Sequence, residues 1–175
     1  MTLPLSASQW QIILPRKSII DLPELLIFAC MNQALTYLQS RIGLSFGDAH
    51  PSPVGRWLNG TVRVVESGEF VADFVVRPDM VNPVGILHGG IMATIMDEAI
   101  GIAIYTLDDA NFFASINLAV DFLRSAKLGE VITARARVVR RGRRIVNAEC
   151  QVYNASGELL AKGSCNCAMT EMNKV

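Results

Sequence analysis

Between residues 61 and 169 the rhythm of apolar and polar positions changes twice. Residues 61–66 and 70–77 are rich in β-branched and aromatic side chains and flank Ser67-Gly68-Glu69, which predicts two strands joined as a hairpin. Residues 78–87, with Pro78, Pro83 and Gly85, predict a loop. From 88 to 106 the apolar residues Ile91, Met92, Ile95, Met96, Ala99, Ile100, Ala103 and Ile104 occupy nearly every side of a helix, which predicts one helix buried nearly all round. Strands are predicted again at 112–122, 131–139, 145–153 and 159–169. Alternation is clearest in the third of these, where Asn147, Glu149 and Gln151 interleave with Val146, Ala148, Cys150 and Val152. Arg141-Gly142-Arg143 and Asn154-Ala155-Ser156-Gly157 are turns short enough for antiparallel hairpins. The order of elements predicts an α+β domain whose sheet wraps around one helix.

The first fifty residues read differently. Pro4, Pro15 and Pro23 break the opening stretch, and an apolar stripe over residues 25–42 predicts an amphipathic helix ended by Gly43, preceded by poorly ordered chain. His50-Pro51-Ser52-Pro53-Val54-Gly55 predicts a loop. The expected organisation is an N-terminal extension over 1–50 and one domain over 51–175.

Composition narrows the class. The chain has 175 residues, 51% of them apolar and 18% charged, with a mean hydropathy of +0.33. That fills a large core, which excludes disorder as the main state. No stretch is long and apolar enough to span a membrane, since 19–38 contains Asp21, Pro23 and Glu24, and 91–105 contains Asp97 and Glu98. The expectation is a soluble protein with more apolar surface than a small monomer hides, hence an oligomer. Cys30, Cys150, Cys165 and Cys167 form no C-x-x-C pair and no secretory signal is visible, which predicts a reducing cytoplasm. With His50 and His88 the only histidines, no metal site is expected, and no cofactor is called for.

Net charge is zero, but residues 124–144 carry eight basic residues against one acid, Glu130. Arg141, Arg143 and Arg144, at a predicted hairpin tip, can attract an anion, or can simply keep an exposed tip soluble. The patch is short and lacks interleaved aromatics, which argues against nucleic acid.

The candidate chemistry lies in 82–98. Gly89 and Gly90 open a helix, where backbone N–H groups lack intrahelical partners and a polarised carbonyl oxygen can dock. Asp97 is a carboxylate in an otherwise apolar helix and must meet water, a donor or substrate. Asn82 and His88 add polar groups to the same loop. Singly, a histidine before a helix is commonly a cap and Gly-Gly a helix start; the combination is more specific. Gly89 and Asp97 stand ~12 Å apart along the helix, and nine steps from His88 to Asp97 turn ~900°, onto the opposite side. One carbonyl cannot touch both groups, so a shared reaction requires two subunits.

The pattern Asn82-x-x-x-x-x-His88-Gly89-Gly90 followed by Asp97, with Ser125-Ala126-Lys127-Leu128-Gly129 later, resembles hotdog-fold acyl-CoA thioesterases of the phenylacetate-degradation (PaaI-like) group over roughly residues 56–170. The resemblance implies a curved antiparallel sheet around a long helix, homodimers with a continuous sheet that often pair into homotetramers, and sites at the dimer interface acting on acyl-CoA. It also implies that Asp97 activates water or attacks the thioester, that the Gly89 N–H polarises its carbonyl, and that Asn82 and His88 orient water and carbonyl. Ser115 matches a secondary serine or threonine position. Gly90, Arg141, Arg143 and Arg144 are candidate substrate contacts. Two other readings stay open: a hotdog hydratase or dehydratase using His88 with Asp97, and a non-catalytic acyl-CoA-binding protein.

Overall fold

A computed structural model describes residues 33–47, 50–107 and 112–170. The elements are α1 (Gln33–Gln39), α2 (Pro53–Leu58), β1 (Thr61–Glu66), β2 (Glu69–Val75), a 3-10 turn (Pro78–Met80), α3 (Gly89–Tyr105), β3 (Phe112–Phe122), β4 (Val131–Arg141), β5 (Ile145–Asn154) and β6 (Leu159–Thr170). The strands form one antiparallel sheet in the order β1-β2-β4-β5-β6-β3. The sheet wraps around α3 as the hotdog fold requires. Among the described residues no helix is long and apolar enough to cross a membrane.

The core lies between the concave face of the sheet and α3. Ile95, Met96, Ala99, Ile100 and Ala103 of the helix are fully buried and meet Phe70, Phe74, Ile132, Ala134, Val146, Ala148, Cys150 and Val152 of the strands. Side chains on a strand alternate between faces, so β5 buries Val146, Ala148, Cys150 and Val152 while its other positions are partly open.

Three expectations change. The helix α3 is not covered all round: Gly90, Asp97, Gly101 and Tyr105 lie exposed along one side, at helical spacing. The loop expected over 50–55 gives way at Pro53 to α2, because Ser52 caps the helix by accepting from the Gly55 N–H (3.1 Å) and Pro53 suits the first helical turn. Of the helix expected over 25–42, the described part runs only from Gln33 to Gln39; its earlier residues, like the poorly ordered chain expected before them, lie outside the described residues.

The two sheet edges differ. Along β1, Ser45 bridges to Thr61, Gly43 N–H donates to the Val62 carbonyl (2.9 Å), the Leu44 carbonyl accepts from Val62 N–H (3.0 Å), and the Gln39 side chain donates to the Val65 carbonyl (3.2 Å). No described segment pairs with the outer side of β3, which carries exposed Phe112, Ile116 and Phe122.

Candidate active site

The loop before α3 is held by its own polar groups. The Asn82 side-chain carbonyl accepts from the Val84 and Ile86 N–H groups (3.1 and 3.3 Å), and the Asn82 backbone closes the turn against Gly85 and Ile86. Asn82 therefore shapes the loop that delivers His88 to the head of the helix. His88 is the N-cap: its backbone is extended (φ −63°, ψ 133°) and its Nδ1 accepts from the Gly90 N–H at 2.9 Å. The His88 carbonyl accepts from Ile91 and Met92 (2.9 and 3.0 Å). Of the first four amides of α3, three are thus engaged, and no described group accepts from the Gly89 N–H. A Cβ on Gly89 would stand 3.4 Å from the Phe122 ring.

Asp97 lies two turns further on. Its Oδ1 accepts a 2.7 Å hydrogen bond from the Ser115 hydroxyl, and the Ser115 Oγ is also 3.8 Å from the Cys167 sulfur. A cleft of about 380 Å³ opens there, lined by Ala93, Thr94 and Asp97 of α3 and residues 115–118 of β3. The structure thus unites Asp97 with Ser115, while Gly89 stands near Phe122, seven residues along the same strand, and His88 caps the helix beside Gly90. Within one protomer the carboxylate and the Gly89 amide do not share a cleft.

Glu98, next to Asp97, faces another way. His50 Nε2 is 3.6 Å from its Oε1 and the Ser52 hydroxyl donates to its Oε2 at 3.3 Å, tying the start of α2 to the central helix. Burial raises the Glu98 pKa, and the His50 attraction opposes that. Burial pushes the Cys150 thiol up to about 12, which fits an inert core residue.

The arginines sit at the β4–β5 hairpin tip, with Arg143 and Arg144 exposed and Arg141 ending β4. Arg141 pairs with Val146, Val146 with Cys167, and Cys167 with Ser115, so one row of residues crosses four strands from the arginine tip to the cleft. Three strand spacings separate its ends, ~14 Å. Sequence reasoning missed Asn117, which lines the cleft beside Ser115, and Asn166 and Cys167, which reach that strand from positions remote in the chain.

Comparison with known proteins agrees with the fold. The profile of the thioesterase superfamily matches residues 84–161. Human acyl-coenzyme A thioesterase 13 is 29% identical over 97 residues, 55% of this chain and 69% of that protein. A phenylacetic acid degradation-related protein of Ralstonia eutropha JMP134 is 31% identical, with a TM-score of 0.63 over 70% of this chain and 94% of that one. A Streptococcus mutans protein bound to acetyl CoA has a TM-score of 0.65 and 23% identity, covering 73% of this chain and 100% of that one. On these matches, and on the sheet and helix already described, the chain belongs to the thioesterase superfamily, in its PaaI-like hotdog group, and is a thioester hydrolase.

Proposed function

We propose that the chain hydrolyses an acyl-CoA thioester at a site completed by two copies of itself. The observation that carries this reading is the free Gly89 amide at the head of α3, with Asp97 ~12 Å down the same helix and held by Ser115 of β3. Paired antiparallel across a two-fold axis, two helices bring the amide of one protomer to the carboxylate of the other. The outer edge of β3, which no described segment covers, supports pairing there, since unpaired strand edges recruit strands. The name of the human relative and the acetyl CoA in the Streptococcus protein support an acyl-CoA substrate.

In this mechanism the thioester carbonyl accepts from the Gly89 N–H. Asp97 takes a proton from water as the water oxygen attacks the carbonyl carbon, and the developing oxyanion stays on the Gly89 amide. Collapse of the tetrahedral intermediate breaks the carbon–sulfur bond, the CoA thiolate leaves, and the proton passes to sulfur. Ser115 holds the carboxylate in place. A positioned base typically supplies 10²–10⁴ in rate and an oxyanion donor about 3 to 4 kcal/mol, enough for an already activated ester. His88, whose Nδ1 is committed to Gly90, is a cap here, which favours hydrolysis over a histidine-driven hydration. Three free buried thiols suit a cytoplasmic enzyme.

The test is a thiol-release screen over short-chain, long-chain and aryl-CoA substrates with Asp97→Asn alongside. Release by the wild type and at least a hundredfold loss of kcat in Asp97→Asn are expected. Equal turnover in both removes Asp97 as the base, and hydration of crotonyl-CoA without thiol release replaces the reaction.

A further inference from the structure

On a regular strand residues i and i+2 point to the same face. Ser115 and Asn117 do not. Ser115 pairs with Cys167, which is buried in the core, whereas Asn117 pairs with Asn166, the next residue back on β6, whose side chain lies on the outer face. Two steps along β3 match one step along β6, so Ile116 is an extra residue and β3 carries a bulge at the lip of the cleft. The bulge is what lets Ser115 turn inward to Asp97 while Asn117 turns outward.

The outward half is anchored. Asn117 Oδ1 accepts from the Asn166 side chain at 2.9 Å and from the Asn166 backbone N–H at 3.2 Å, and Asn166 Oδ1 in turn accepts from the Asn147 side chain at 3.0 Å. Three asparagines on adjacent strands form a ladder across the outer face. A second register shift, between Val138 and Arg140 on β4, lies at the same level on the other side of that ladder, where Asn147 pairs with Arg140. A strand slipped past Ile116 would carry Ser115 away from the carboxylate and Asn117 off both donors. We propose that Asn117 is a positioning residue: its side-chain carbonyl, clamped by Asn166, fixes the bulge at Ile116 and thereby holds the Ser115 hydroxyl on Asp97. The inference rests on the reading of Asp97 as the catalytic base and deepens it, because it assigns the aim of the base to a residue at the lip of the cleft whose side-chain oxygen is held by Asn166.

The experiment is a double-mutant cycle in the full chain, read by thiol release and by hydrogen exchange of the Asn166 amide. Asn117→Ala should lower kcat about as much as Ser115→Ala, with KM within about twofold, and should speed exchange at Asn166. Asn117→Asp keeps the accepting oxygen and should recover most of the rate. In a Ser115→Ala background, Asn117→Ala should cost less than about twofold more, because the hydroxyl it positions is gone. Losses that multiply in full, or an Asn117→Asp no better than Asn117→Ala, overturn the proposal. Should Asn117→Ala not fold, Asn166→Ala keeps the backbone donor, should give an intermediate loss, and is judged by the same coupling to Ser115. Asp97→Asn separates the two claims: full activity there removes the base, while the Ser115–Asn117 coupling and the Asn166 exchange still decide the anchor.

Discussion

The Ser115 hydroxyl donates to Asp97 Oδ1 at 2.7 Å, from a strand 18 residues further along the chain. A carboxylate on an open helix face is free to rotate, and this bond selects one rotamer. Ser115→Ala is expected to lower kcat about tenfold, less than loss of the carboxylate itself, with KM little changed. Unchanged steady-state kinetics would remove Ser115 from the site.

Gly89 offers a sharper test than the usual alanine. Proline is well tolerated at the first helical position, and His88, at φ −63° and ψ 133°, already has the extended backbone that precedes proline. Gly89→Pro therefore deletes the one free N–H and keeps the helix. Circular dichroism should be unchanged while kcat falls about 10²–10³-fold. A fully active Gly89→Pro would mean that another group holds the oxyanion.

Sharing of the site between protomers is measurable by mixing. Asp97→Asn and Gly89→Pro are each expected to be inactive alone. A heterodimer formed by unfolding and refolding them together contains one intact site and one site lacking both groups, so activity should return to about a quarter of wild type. No recovery, with hybrid dimers verified by mass spectrometry, would confine the chemistry to one protomer.

The arginine tip should act on binding and not on chemistry. Arg143→Glu with Arg144→Glu is expected to raise KM for acyl-CoA several-fold at low salt, with kcat unchanged and the difference fading as salt rises. KM equal to wild type at low salt would leave the tip as a solvated hairpin end.

Glu98 gives a pH signature in stability. Burial raises its pKa in the folded protein above the ordinary 4.5, so folding binds its proton. The stabilisation belongs to the protonated form: it is fully present below pH 4.5 and is lost as pH rises through the higher folded value. Glu98→Gln, which stays neutral and can still accept from Ser52, should lack this loss. The melting temperature of the wild type should fall relative to Glu98→Gln over that window, and parallel curves would refute the assignment.

Much of this was legible in the chain. Val146 to Val152 alternate so regularly, and the turns beside them are so short, that strand positions followed within two residues. The Gly89-Gly90 helix start and the distance of Asp97 from it were legible as well, because helix rise and rotation are fixed. Three things were not legible. The helix α2 was hidden by prolines on either side of its cap, although Ser52-Pro53 is a helix start. The open side of α3 lies at the positions that the apolar pattern skips, Gly90, Asp97, Gly101 and Tyr105, which share one face at helical spacing. The bulge at Ile116 has no local signal: Ser-Ile-Asn-Leu reads as ordinary alternation, and only partners about fifty residues away break the register.

One consequence follows from the unlike margins of the sheet. The segment beside β1 occupies the margin where a further chain would add, and among the described residues the opposite margin carries no strand. A molecule with a single adhesive rim can join another copy only rim to rim, and the union leaves nothing exposed for a third. If the proposed pairing uses this rim, strand addition would stop at two copies, and the proposed shared site would form without the hazard of growing into a fibre.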